Sequence, residues 1–170
     1  LYLVPSDIRL ARVAQTLYMR PKREDLLKRG IKRIEGDYDY IVLDCPPSLG
    51  VLSEAAIAAA DLILVPCQME ARAADALVDL LEIISIIKGD DFEDWRILLT
   101  RVDHRKTVTV EAVMKALEPW KDRILKTPIP QSEALNQAQI ARADIFTYDQ
   151  KSKGAQAYEQ LTQEILRYGK

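Results

Sequence analysis

Tyr38-Asp39-Tyr40-Ile41-Val42-Leu43-Asp44-Cys45-Pro46-Pro47-Ser48-Leu49-Gly50 is the stretch on which the reading of this chain turns. Ile41, Val42 and Leu43 are consecutive, apolar and partly β-branched, the pattern of a strand buried on both faces. That strand ends on a carboxylate. In a parallel sheet the carboxyl ends of the strands form the edge where ligands bind, and nucleotide hydrolases hold a phosphate-bridging magnesium ion from an aspartate at that edge. Pro46 and Pro47 force extended backbone just beyond it, which suits a rigid turn over a ligand. The residues by themselves leave a second reading equally open, in which Asp44 merely caps the loop or helix that follows.

Outward from this stretch, strand-like and helix-like segments alternate. Leu3-Val4 reads as a short strand, and Arg23 to Ile34 as an amphipathic helix with Leu26, Leu27, Ile31 and Ile34 inward. Val51 to Ala60 is an alanine-rich helix and Leu62 to Val65 the next buried strand. In Ala71 to Lys88, the residues Leu77, Leu80, Leu81, Ile84 and Ile87 recur at helical spacing, and Gly89-Asp90-Asp91 ends the helix. Trp95 to Thr100 returns as a strand. Val108 to Leu117 and Ser132 to Ala143 are shorter helices. Gly154 precedes a closing helix to Tyr168, with Tyr158, Leu161, Ile165 and Tyr168 on one face. The alternation predicts an α/β fold, a mostly parallel sheet flanked by crossover helices, in one domain over residues 1–170.

Composition narrows the class. At 170 residues with 48% apolar side chains, the chain can fill a core. A net charge of −2 exerts no global pull on nucleic acid or anionic membrane. No apolar run approaches the roughly 20 residues that span a bilayer. Cys45 and Cys67 form no CxxC pair, which argues against a disulfide scaffold or a structural zinc, and both read as small buried hydrophobes. The cytoplasm is the expected compartment.

Residues 38–50 resemble the Walker B and switch II region of the ParA/Soj-type partition ATPases, the deviant Walker group of the MinD/ParA superfamily. Four further segments resemble that family in the same order. Asp61-Leu62-Ile63-Leu64-Val65-Pro66-Cys67-Gln68-Met69-Glu70 is similar to its next strand, and Leu98 to Thr107 to the strand and loop after that. Thr127-Pro128-Ile129-Pro130-Gln131 is similar to the segment before the last helices. Tyr148-Asp149-Gln150-Lys151-Ser152-Lys153-Gly154-Ala155 resembles the family's YDPxSxGA stretch, with glutamine in place of the proline.

The resemblance implies a P-loop NTPase-like fold and MgATP as ligand. Asp44 would contact magnesium through water and is the candidate catalytic residue. Cys45, Pro46 and Pro47 would form switch II, while Thr100, Arg101 and Pro130 would surround the adenine. The plainer reading has Thr100 ending a strand and Pro130 shaping a turn. It further implies an ATP-dependent homodimer, a centromere-binding ParB-like partner and nucleoid association through non-specific DNA binding. Arg105 matches a family arginine and leads the DNA candidates. Lys106, Arg142, Lys151 and Lys153 would extend the patch, although each alone reads as an ordinary solvated charge. Gln131 stands where the family commonly has an arginine, which removes one positive charge from that surface. His104, lacking a partner motif, reads as a solvated loop residue.

One feature of the family is missing from these residues. The six glycines, Gly30, Gly36, Gly50, Gly89, Gly154 and Gly169, are scattered, and no Gly-Lys-Thr or Gly-Lys-Ser occurs. A phosphate loop needs clustered glycines so that backbone N–H groups converge on the phosphates. Leu1 to Ser6 resembles a strand from the family's middle. The chain therefore reads as the C-terminal part of a longer ATPase, and is expected not to hydrolyse ATP by itself. Two rivals share the residues. A MinD-like membrane-associated ATPase would end in a basic amphipathic helix, whereas Glu159 to Tyr168 sets acidic and amide side chains opposite its apolar face. A non-catalytic, truncated binding module would keep the fold without the phosphate loop.

Overall fold

The computed structural model describes residues 1–70, 73–103 and 105–168. Two strands pair in parallel: β1, Ile63–Gln68, and β2, Trp95–Thr100, in register from Ile63 opposite Trp95 to Gln68 opposite Thr100. β2 coincides with the expected strand, and its apolar run is buried on both faces, with Ile97 at 0% exposure. β1 runs three residues beyond the expected Leu62–Val65. Pro66 is tolerated there because β1 has a partner on one side only among the described residues, so the missing N–H breaks no ladder. The crossover between them is helix α4, Ala73–Lys88. The first two residues of the expected helix, Ala71 and Arg72, lie outside the described residues. Parallel strands joined by a helix, with helices around them, make this an α/β fold, as the alternation implied.

Contacts gather into two units, Leu1–Asp61 with Leu80–Phe92, and Leu62–Asp79 with Glu93–Lys170. In the second, an extended segment over residues 124–131 lies parallel to β2 on the side away from β1, bridging Ile97 to Ile124 and Val102 to Pro130. Its first amide, of Ile124, donates to the Lys121 carbonyl at 3.2 Å. Leu125 N–H donates to Ile97 O at 2.9 Å, Ile129 to Leu99 O at 2.8 Å, and Gln131 to Val102 O at 3.0 Å. Pro128 and Pro130 have no N–H. The amides of Lys126 and Thr127 donate instead to the Glu164 carboxylate, at 2.7 and 2.9 Å. Glu164 thus ties this segment to helix α8, Lys153–Ile165. Replacing Glu164 with alanine hands the exposed Lys126 amide to water and leaves the half-buried Thr127 amide without its partner, and should lower unfolding free energy by about 1 kcal/mol. Urea denaturation checks this, and an unchanged midpoint would show the clamp to be dispensable.

Ala157, Leu161 and the half-buried Ile165 recur at helical spacing along α8 and pack with Leu98, Leu125 and Ile129 of the sheet. Tyr158 is one position round from that stripe and stays 40% exposed. Helices α6, Glu133–Ile140, and α7, Ile145–Asp149, close a second cluster through Ala138, Ile145 and Ala155. α8 approaches α6 so closely that a Cβ on Gly154 would lie 2.7 Å from Leu135 Cγ, which is why the residue there is glycine. Helix α5, Thr107–Ala116, follows the loop after β2. It begins one residue before the expected helix, and α6 is four residues shorter than expected.

The first unit departs from the pattern of its sequence. Leu3-Val4 is exposed coil. Ile41, Val42 and Leu43 form no strand, and Val42 is 89% exposed. A strand exists through its ladder, and no described residue pairs with this run, so its apolar content alone does not make one. Helix α2, Asp25–Ile31, stops short of Ile34, which falls in the turn that follows and is 40% exposed. Helix α1, Arg9–Leu17, was not expected, and helix α3, Val51–Ala59, was. α3 ends against Lys88, whose Nζ donates to the Ala60 carbonyl at 2.6 Å and to Ala58 at 3.2 Å, placing a cation on the negative end of the helix.

Candidate functional site

Within the first unit, Asp44, Cys45, Pro46 and Pro47 occupy an exposed extended loop. The loop folds back where Ser48 N–H donates to Pro46 O at 2.8 Å, and the buried Ser53 hydroxyl donates to Ser48 O at 2.6 Å. Its far end is therefore pinned to the first turn of α3. Gly50, in extended conformation, stands at the start of that helix, and no side chain caps it. Asp44 caps no helix. α3 is held in turn by Arg23, which donates to Glu54 Oε2 at 3.3 Å and to the Tyr18 carbonyl at 3.0 Å. A rigid base thus carries an open loop with a free carboxylate at its tip.

Asp44 carries no ion pair among the described residues. No group of three or more His, Cys, Asp or Glu able to cage a metal occurs among them either. One free carboxylate fits magnesium, which keeps most of its water and takes few protein ligands, and does not fit an all-protein metal cage. Cys45 corrects the expectation of a small buried hydrophobe: the residue is exposed, with Sγ 3.6 Å from the Leu43 carbonyl. Cys67 is buried, as expected. Desolvation of its sulfur, and then the charge of Asp44, push the Cys45 thiol upward, and burial does the same to Cys67. Neither is poised as a thiolate nucleophile.

Within the second unit, the carboxyl ends of β1, β2 and the 124–131 segment come to one edge. A cleft of about 180 Å³ opens there, lined by residues that include Gln68, Glu70, Arg101, Asp103, Lys106 and Gln131. Arg101 has φ 53°, the left-handed region that a bulky L-residue avoids. Such conformations cluster at sites where a side chain must be aimed. Thr100 directs its hydroxyl to the Cys67 carbonyl at 3.4 Å, which braces the two strand ends. Pro130 pairs with Val102 and lines a different cleft of about 270 Å³ together with Lys126, Thr127 and Lys153. Of the expected adenine residues, Arg101 therefore faces one cleft and Pro130 the other, while Thr100 lines neither.

The expected DNA contacts fall on separate elements. Arg105 and Lys106 follow β2, Arg142 (φ 53°) sits in the turn after α6, and Lys151 and Lys153 flank the start of α8. His104 lies outside the described residues. Arg105 is 87% exposed at its side chain yet is held by Asp103: Nε donates to Oδ1 and Nη2 to Oδ2, both at 2.9 Å. The hydrogen bonds and charge of Arg105 hold the Asp103 carboxyl down to about 2, and Asp103 raises Arg105 in turn. Sequence reading missed Asp103, although an Asp two residues before an Arg in a loop is a legible signal for such a pair. It also missed Gln68, Glu70 and Lys126 as lining residues.

A family model described as an AAA domain matches residues 1–97. The sporulation initiation inhibitor protein Soj of Bacillus subtilis is 33% identical over 98% of this chain, which spans 67% of that protein. The chromosome partitioning protein ParA of Myxococcus xanthus is 32% identical over 98% of this chain, which spans 60% of it. Among solved structures, cobyrinic acid a,c-diamide synthase from Mycobacterium smegmatis, with bound ATP analogue and magnesium, superposes with a TM-score of 0.80 at 32% identity, covering 98% of this chain and 62% of that one. Apo McdA from Cyanothece gives a TM-score of 0.79 over 95% of this chain and 66% of its own, and at 22% identity it supports the fold alone. Motif order, fold and these similarities converge, and the chain belongs to the ParA/Soj-type partition ATPases of the MinD/ParA superfamily.

Proposed function

We propose that the protein is an ATPase acting in plasmid or chromosome partitioning, with MgATP closing a homodimer that binds DNA without sequence preference. A ParB-like centromere-binding partner then stimulates hydrolysis and releases the dimer. The observation that carries this reading is Arg101, held at φ 53° on the cleft at the carboxyl ends of the strands, where α/β proteins take nucleotides. Asp44 would hold magnesium through water, and the metal would supply charge neutralisation between the phosphates. Cys45, Pro46 and Pro47 form the loop that responds to the nucleotide, with Ser53 fixing its far end. Thr100 and Pro130 are the remaining base-binding candidates, Thr100 bracing the strand ends beside Arg101 and Pro130 lining the second cleft. Arg105, Lys106, Arg142, Lys151 and Lys153 meet DNA phosphates rather than base edges.

The 170 residues hold no glycine-rich phosphate loop, and by themselves they are expected to bind nucleotide weakly and not to turn it over. The test is DNA binding by the protein as the cell makes it, with and without MgATP, over a salt series. Binding should require MgATP and be equal on unrelated duplexes. Its logarithm should fall linearly with log salt, by about 0.9 per phosphate neutralised. Nucleotide-independent or sequence-selective binding would contradict the reading. For the membrane-associated rival, the apolar face of α8 is spent on the core with Leu98, Leu125 and Ile129, which leaves that face unavailable to lipid. No described helix is long and apolar enough to cross a membrane.

A further inference from the structure

We infer that Asp103 is a positioning residue for polyanion binding, gripping one edge of the Arg105 guanidinium so that the other edge is presented to a DNA phosphate. The inference rests on the proposed DNA-binding role of Arg105. A guanidinium offers five N–H donors in one rigid plane. Asp103 takes Nε–H and one Nη2–H, both at 2.9 Å. The two hydrogens on Nη1 and the second on Nη2 remain on the outer edge, which is the fork that meets a phosphate through two parallel bonds. Inner pair and outer phosphate therefore do not compete for the same donors.

Exposure sets the order in which an approaching anion meets the two charges. The Arg105 side chain is 87% exposed and that of Asp103 only 11%. The cation stands in front, and the carboxylate lies behind it. Asp103 also accepts the Arg105 backbone N–H at 3.1 Å, so it fixes both ends of the residue that it orients. Two effects of the carboxylate then oppose each other. Its charge repels phosphate, but it does so from behind the cation, across a distance comparable to the Debye length of about 8 Å at physiological salt. Its grip removes rotamer freedom from a long side chain that would otherwise be lost on binding, and salt does not screen that contribution. The grip prevails, and the paired arginine binds phosphate better than a free one.

This yields a result that charge counting gets backwards. Asp103→Asn keeps an oxygen to accept the Arg105 backbone N–H and makes the loop more positive by one charge. Charge counting expects tighter DNA binding, whereas positioning expects weaker. The experiment uses the protein as the cell makes it, with MgATP, and a fluorescent duplex of arbitrary sequence titrated over a salt series. D103N should weaken binding roughly three- to tenfold with an unchanged thermal midpoint. R105Q should weaken it and lower the salt slope by about 1. The double variant should be no weaker than R105Q, because Asp103 acts only through Arg105. Unchanged or tighter binding by D103N, or losses that add in the double variant, would overturn the inference. If R105Q itself leaves affinity and slope unchanged, the DNA-binding role of Arg105 fails first, and the positioning role fails with it.

Discussion

Asp44→Ala, made in the protein as the cell produces it, should reduce magnesium-dependent ATP turnover by roughly 10²-fold or more while leaving the unfolding midpoint where it was. The two halves of this expectation have separate causes. Stability is indifferent because Asp44 is exposed, pairs with no cation among the described residues and caps no helix, α3 beginning instead at Gly50. Exposed substitutions away from such features change stability by about 0.5 kcal/mol or less. Turnover is sensitive because a metal positioned on transferring phosphates is worth several kcal/mol, and each ~1.4 kcal/mol is a factor of ten in rate. Steady-state hydrolysis against magnesium concentration, with differential scanning calorimetry alongside, separates the readouts. Wild-type turnover in the variant would end the assignment. A lowered midpoint with normal turnover would return Asp44 to a structural role.

Arg101→Gly is the second large effect, and its two readouts should move in opposite directions. At φ 53° an arginine suffers the crowding of Cβ against its own carbonyl that glycine escapes, a cost of roughly 1–2 kcal/mol. Part of the gain is offset because glycine is freer in the unfolded chain, so a net stabilisation of about 0.5–1 kcal/mol is expected. Nucleotide affinity should fall about 10- to 100-fold, the equivalent of a lost charge-assisted hydrogen bond worth roughly 1.5–3 kcal/mol. Fluorescent nucleotide binding and urea denaturation on the same preparations test the pair. A more stable protein that binds nucleotide as before would show the strained arginine to have no part in the cleft. The ordinary substitution, Arg101→Ala, keeps the strain and so should lose affinity without gaining stability.

What could be read in the sequence was whatever periodicity and local chemistry determine. β2 over residues 95–100, the crossover helix α4 and α3 were legible because each is an apolar run of unambiguous period, ended by turn or polar residues. The run at Ile41 to Leu43 has an equally clear pattern but is coil, with Ile41 and Val42 exposed, because pairing is a property of neighbours and not of the run itself. Helix α1 was legible in principle, since Leu10, Val13 and Leu17 recur at helical spacing, but it is short and buries none of them. The bond from Glu164 to the amides of Lys126 and Thr127 spans 38 and 37 residues, and no local signal announces it. The left-handed backbone at Arg101 was invisible for a different reason: neither glycine nor asparagine marks the position. The Asp103–Arg105 pair was legible in principle, being only two residues apart.

The donor pattern of the 124–131 segment sets the direction in which this sheet can grow. An incoming strand needs free N–H groups along an edge, yet on this one two positions are proline and Lys126 and Thr127 are taken by Glu164. Of the remaining amides, those of Leu125, Ile129 and Gln131 already point inward to β2 and the Val102 that follows it, and that of Ile124 donates to the Lys121 carbonyl. That flank is sealed against recruitment by stray extended chains, the route by which exposed edges aggregate. Among the described residues, the free side of β1 has no such seal beyond the single Pro66. Any further strand joining this sheet, from whatever source, is therefore steered beside β1, so that the cleft at the strand ends is enlarged from one side only.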